Sequence, residues 1–286
     1  MKWNKVIRDV RPLCAAVMLA ALLGLHLMVY SRRDCSHLGA LLAHHGDASQ
    51  RVLDRRSHLQ SPETAAIVSA VTGEMDRPQL EPGPGIFVYK EDTGLLPFPR
   101  HDLNPRLRAK YFRMSTHWLH PEYSAYIWAD GAFQIDDPVA LRSFMVDALG
   151  SADCAFFKHP DRQTIVQESD AVIGWIAEGC DHWCKYLRVR YEHEPMQAQV
   201  EAYVGEGFPM DGYPLIATGL FIRRNLPHVN AAFDHWLIEN FKWTIQDQLS
   251  LPYILWKHNL SSNLINNVSI WSGPFHKHTG HASPMQ

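Results

Sequence analysis

From Gly85 onward the chain alternates two kinds of segment, and that alternation limits its fold more than any other feature. Short runs rich in aromatic and β-branched residues, GIFVYK (85–90), YSAYIWADG (123–131), CAFFKHP (154–160) and LIATGLFIRRN (215–225), have the length and composition of buried strands. Stretches with helical spacing lie between them. Asn104-Pro105 opens one in which Leu107, Tyr111, Met114 and Trp118 recur every three or four residues, leaving Arg106, Arg108, Lys110 and Arg113 on the remaining surface. Asp137-Pro138 caps a second that runs to Leu149, and 162–178, 229–242 and 246–257 (with Pro252 inside it) are three more. Strands alternating with helices predict an α/β domain on a mostly parallel sheet. In such sheets ligands bind beyond the carboxyl ends of the strands, so the residues that follow the strand runs come first as candidates for a site.

Upstream, residues 13–30 read LCAAVMLAALLGLHLMVY and carry no formal charge. At about 1.5 Å per residue the run is long enough to cross a hydrocarbon core. Lys2, Lys5, Arg8 and Arg11 precede it, and Arg32 and Arg33 follow. That asymmetry predicts an uncleaved signal-anchor with a cytoplasmic N-terminus, hence a single-pass type II membrane protein. A cleaved signal would end in a small-x-small site, whereas this run ends in MVYSRRD. The expected organisation is a cytoplasmic tail (1–12), a transmembrane anchor (13–30), a stem (31–83) and a folded domain (84–286). Inside the stem, Ser61-Pro62-Glu63 predicts a helix start leading into AAIVSAV, and QLEPGPG (79–85) marks the boundary.

The formal charge of −3 excludes a polybasic nucleic-acid binder, and 46% apolar residues exclude extended disorder. Cys35, Cys154, Cys180 and Cys184 permit three disulfide pairings, among which sequence does not choose. Asp130, followed by Gly131, ends an aromatic strand and suits a divalent cation or sugar hydroxyls. His159 and Arg162 follow the next strand, where a phosphate could meet a helix N-terminus. Asp247-Gln248 starts a helix whose other face is apolar, and the late FHKHTGH offers His276 and His278 as metal ligands. Trp128, Trp236 and Trp256 read as core.

Taken in order, AKYFRMSTHWLHPEYSAYIWADGAFQI (109–135), FFKHPDRQTIVQES (156–169), GLFIRR (219–224) and QDQLSLPYILWKH (246–258) resemble a glycosyltransferase-like family that includes plant mucilage-related proteins assigned as hexosyltransferases. The likeness spans about residues 105–258 and is carried by Lys110, Arg113, His117, Asp130, Gly131, His159, Arg162, Arg223, Asp247 and Gln248. It implies a GT-A-like fold, a nucleotide-sugar donor, a glycan, lipid or protein acceptor, and a Golgi-like secretory or bacterial inner membrane. It makes Trp128-Ala129-Asp130-Gly131 the counterpart of an Asp-x-Asp strand end that holds Mn²⁺ or Mg²⁺ and the donor diphosphate. Asp247 becomes the acid facing acceptor or sugar, and His276 or His278 the late metal ligand. Lys110, Arg113, His159 and Arg162 would then bring positive charge to the leaving group. The chain departs from the pattern at Ala132, where the second Asp would stand, and at Gln246, where the family has Arg. The stretch between GIFVYK and Asn104 is also short for a nucleotide-binding half.

Two readings from other classes remain beside this one. A ceramidase-like lipid amide hydrolase would need His117, His159 and the C-terminal histidines around one metal ion. A degenerate domain that only binds glycan is favoured by Ala132.

Overall fold

Neighbouring residues in the strand runs serve opposite faces of one sheet. The structure, a computed structural model, describes residues 64–72, 79–90, 105–179, 182–271 and 276–278, all within one compact unit, Leu59–Gln286. Its strands are β1 (Ala65–Val71), β2 (Ile86–Lys90), β3 (Ala125–Ala129), β4 (Phe133–Ile135), β5 (Cys154–Lys158), β6 (Ile216–Arg224), β7 (Ser262–Ile265) and β8 (His276–His278). Six of them form a sheet in the order β2-β1-β3-β6-β5-β7, while β4 and β8 make a separate antiparallel pair. Five strands of the large sheet run one way, and β6 runs against them between β3 and β5. The expected mostly parallel α/β sheet is therefore present, with one antiparallel member.

AAIVSAV is a strand, not the helix that Ser61-Pro62-Glu63 predicted. All seven residues of β1 are buried, and a strand covered on both faces shows a continuous apolar run without the polar stripe of a surface helix. Because β1 pairs with both β2 and β3, it belongs to the sheet although it precedes residue 84. It also supplies the strand that the short stretch after GIFVYK left wanting.

The helices are α1 (Pro105–Met114), α2 (Thr116–Leu119), α3 (Pro138–Leu149), α4 (Ile165–Glu178), α5 (His182–Tyr191), α6 (Met196–Gly205), α7 (Pro227–Lys242) and α8 (Asp247–Lys257). One sheet face, with Ile67, Ala125, Ile127 and Ala155, packs against Leu141, Met145 and Leu149 of α3. The other, with Val68, Trp128, Phe156 and Phe221, packs against Phe112 of α1, Phe233 and Trp236 of α7, and Leu251 of α8. Each such large side chain contributes about 1.5–3 kcal/mol through burial. Asp137 caps α3 as its position suggested, accepting from the backbone N–H of Val139 (3.0 Å) and Ala140 (2.9 Å). The helix after Asn104 stops at Met114 and resumes as α2, so Trp118 stands half exposed on a second short helix.

Residues 1–63 lie outside the described residues, and with them the expected tail, the anchor at 13–30 and most of the stem. Among the described residues no helix is long and apolar enough to cross a membrane. Cys154 is free and buried, Cys184 is disulfide-bonded, and Cys35 and Cys180 lie outside the described residues.

Candidate functional site

The carboxyl ends of β1, β3 and β5 meet the amino-terminal half of β6 around a cavity of about 380 Å³, closed by α1 and the first turn of α8. Lys110 and Arg113, one turn apart on α1, share the face that turns toward it. Helical spacing alone placed these two cations on the surface; they are 6% and 5% exposed. The reason is that each meets a carboxylate. Asp247 Oδ2 accepts from both Lys110 Nζ and Arg113 Nη1, and Asp247 Oδ1 accepts from Thr218 Oγ1 (3.0 Å). Asp130 Oδ1 accepts from Arg113 Nη2 and from Trp128 Nε1 (2.7 Å). Arg113 thus joins the two acids, with its guanidinium 4.8 Å over the Trp128 ring. Burial lowers the pKa of Lys110, aided by the Arg113 charge, and burial also lowers that of Arg113.

Thr218 owes its place to an irregularity in β6. Opposite β5 the register jumps from Phe156↔Phe221 to Phe157↔Ala217, and the extra residues carry Thr218 toward Asp247. The backbone N–H of Asp130 bonds Gly219 O (2.8 Å) in the same bend. Both neighbouring glycines answer to protein contacts. A Cβ on Gly131 would stand 2.5 Å from Val71 Cγ2, and one on Gly219 would stand 2.9 Å from the Phe133 ring and 3.3 Å from Asp130 Oδ2.

A second group sits beyond β5. His159 Nδ1 accepts from the backbone N–H of Asp161 (3.2 Å) and Arg162 (3.1 Å), while its Nε2 lies 3.2 Å from Arg162 Nη2 and 4.0 Å from Glu168 Oε2. Arg162 donates Nε to Glu168 Oε2 and stacks 5.1 Å over Trp175. Glu168 Oε1 accepts from Gln246 Nε2 (2.5 Å), Gln246 Oε1 accepts from Tyr191 OH (2.9 Å), and Gln246 Nε2 also reaches Gln248 Oε1 (3.1 Å). Four residues that sequence reading left unassigned, Thr218, Glu168, Gln246 and Trp175, are therefore wall or support of the cavity. Only Glu168 carried a local signal, as a first-turn acid on α4 beside the His159-Arg162 loop.

Lys110, Arg113, Asp130, Gly131, His159, Arg162, Asp247 and Gln248 all line the cavity. His117 and Arg223 do not line it. Arg223 lies opposite Tyr126 and Cys154, at the other end of the sheet, and is fully buried. It donates to Asn230 Oδ1 (2.8 Å), His117 Nδ1 (3.1 Å) and Met114 O (3.2 Å), while His117 Nε2 faces Asp234 Oδ2 (3.3 Å). These two residues tie the α1–α2 elbow and α7 to the sheet. Because His117 and His159 stand at opposite ends of the strands, they do not come together as the hydrolase reading requires. His276 and His278 lie in β8, where their backbones pair with Ile135 and Phe133.

Whether Asp130 suits a divalent ion is a question of donors. Among the described residues no three His, Cys, Asp or Glu side chains gather as a metal-holding group. Position 132 is a buried Ala, and Asp130 Oδ1 already faces two N–H donors. That donor set fits a guanidinium and does not fit a divalent ion.

Four histidines, His117, His120, His159 and His258, have lowered pKa values, each chiefly through burial. In the unfolded chain they titrate near 6.5, so below that pH the unfolded state binds protons that the folded state refuses. Stability is expected to be level near pH 8 and to fall from about pH 7 toward pH 5, by up to about 1.4 kcal/mol per pH unit for each such histidine. Urea midpoints across that range check this. A midpoint that rises on acidification contradicts it.

Fold and site together define an α/β protein with paired carboxylates and cations at the carboxyl end of its sheet. No protein-family model matches the chain, and no curated protein and no solved structure matches it.

Proposed function

We propose that this protein transfers a sugar, a hexose in the reading that the family resemblance favours, from a nucleotide-diphosphate donor to a glycan, lipid or protein acceptor. The observation that carries the reading is Arg113 bridging Asp130 and Asp247 inside a cavity at the strand ends. In the same reading the mixed sheet, with an acidic strand end after β3, is GT-A-like, and residues 13–30 anchor a type II protein in a Golgi-like or bacterial inner membrane.

The chemistry asks for such a lining. The bond between the anomeric carbon and the diphosphate oxygen breaks with its electron pair on the phosphate side. The acceptor oxygen bonds to that carbon, and its proton leaves to solvent or to the departing diphosphate. Negative charge grows on the leaving group and positive charge on the sugar. Arg106, Lys110, Arg113, Arg162 and Arg190 line the cavity beside Asp130, Asp161, Glu168 and Asp247. The cations serve the diphosphate, and Asp247 serves the sugar. With three hydrogen bonds on its two oxygens, Asp247 is a poor proton acceptor and a good electrostatic clamp. Gln248 supplies an amide for sugar hydroxyls.

Incubating the full chain with individual nucleotide sugars, with and without Mn²⁺ and with mixed acceptors, is expected to release nucleoside diphosphate from one donor. Silence with every donor under both conditions overturns the reading.

A further inference from the structure

A divalent ion on Asp130 is what the family resemblance implies, and the residues around Asp130 disagree with it. We infer that this site neutralises the donor diphosphate with Arg113, held in place by Asp130 and Asp247, and works without a divalent ion. The inference rests on the sugar-transfer reading and refines it.

A hard divalent cation collects several oxygen ligands at short range. The strand end after β3 provides one carboxylate, because Ala132 is buried and brings no donor. Oδ1 of that carboxylate faces Arg113 Nη2 and Trp128 Nε1, so two N–H groups hold that oxygen against an ion. Asp247 is engaged in the same way by Lys110, Arg113 and Thr218. An ion on Asp130 would also sit beside a guanidinium, which does not deprotonate in proteins and repels it at close range. The lining as a whole points the same way. Five cations face four carboxylates, a formal +1 before any ion enters, a balance that suits an anionic diphosphate.

Arg113 has what the substitute role needs. Its two terminal nitrogens are fixed by opposite carboxylates and its plane is packed on Trp128, so little ordering remains to be done when an anion arrives. Each terminal nitrogen gives one N–H to a carboxylate and keeps a second, a donor left over for a phosphate oxygen. Planar guanidinium geometry matches phosphate oxygens in a way an ammonium does not.

The test is calorimetric titration of the full chain, purified in mild detergent, with uridine and guanosine diphosphates as probes, once in EDTA and once in Mn²⁺. At least one probe is expected to bind with a Kd that differs less than threefold between the two buffers. Arg113→Lys is expected to weaken that binding at least tenfold in both, with circular dichroism reporting that the variant is folded. Binding that appears only with Mn²⁺ overturns the inference and leaves sugar transfer standing. Absence of binding to either probe in both buffers counts against sugar transfer itself, and the inference falls with it. Wild-type affinity in Arg113→Lys removes Arg113 from the role. If Arg113→Lys does not fold, the EDTA and Mn²⁺ titrations of the unaltered chain still decide whether an ion is needed.

Discussion

Replacing Asp247 with Asn is expected to reduce sugar transfer by at least about three orders of magnitude and to lower stability by about 3 kcal/mol, toward the lower end of what breaking a buried ion pair costs. Asp247 is the shared partner of two buried cations, and an amide in its place keeps an oxygen but no charge. Two features keep the stability loss from being larger. Burial has already lowered the pKa of Lys110, so that side chain can release its proton, and Arg113 keeps Asp130. The double variant Lys110→Met with Asp247→Leu is expected to be more stable than Asp247→Asn, since it leaves no cation behind without its carboxylate. Denaturant midpoints for the three proteins check the ordering. A single variant as stable as the wild type shows that the cluster does not hold α1 to α8.

Much of the frame was legible because it is written locally. Asp137-Pro138 announces α3 through its cap, and the aromatic runs ending at Asp130 and His159 announce β3 and β5 through their length and composition, each within a dozen residues. β1 was misread for the opposite reason: seven buried residues in a row erase the period that separates strand from helix. The direction of β6 was not legible at all, since a buried strand has the same composition whichever way it runs. At the site, the Lys110–Arg113 spacing was visible, but their burial was not. Arg113 finds Asp130 17 positions away and Asp247 134 positions away, and only the folded topology brings those three together. Thr218 was hidden because a register shift in β6, not a motif, turns it toward Asp247. His117 and Arg223 shared the likeness with the cavity residues, and the sheet places them at its far end.

Glu168→Ala is expected to weaken donor binding by about a hundredfold and to cost about 3 kcal/mol, the scale for removing one member of a buried charged pair. Glu168 is almost fully buried, and its two oxygens have different duties. Oε2 holds Arg162, the cation that enters the cavity from the loop before α4, and Oε1 holds Gln246, the residue just ahead of Asp247. Loss of the carboxylate leaves Arg162 with the Trp175 ring and the His159 Nε2 contact (3.2 Å) but no counter-charge from α4, and frees the link between α4 and the start of α8. The expected signature is a raised KM for the donor with a smaller fall in kcat, because Glu168 acts through Arg162 on the diphosphate and not on the sugar. Glu168→Gln separates position from charge. It keeps an oxygen for one partner, and is expected to recover most of the stability but little of the donor affinity, since a neutral amide holds a guanidinium weakly. Equal loss of kcat and no change in KM in Glu168→Ala contradicts this assignment, because it would place Glu168 at the reacting centre instead of behind the phosphate contacts.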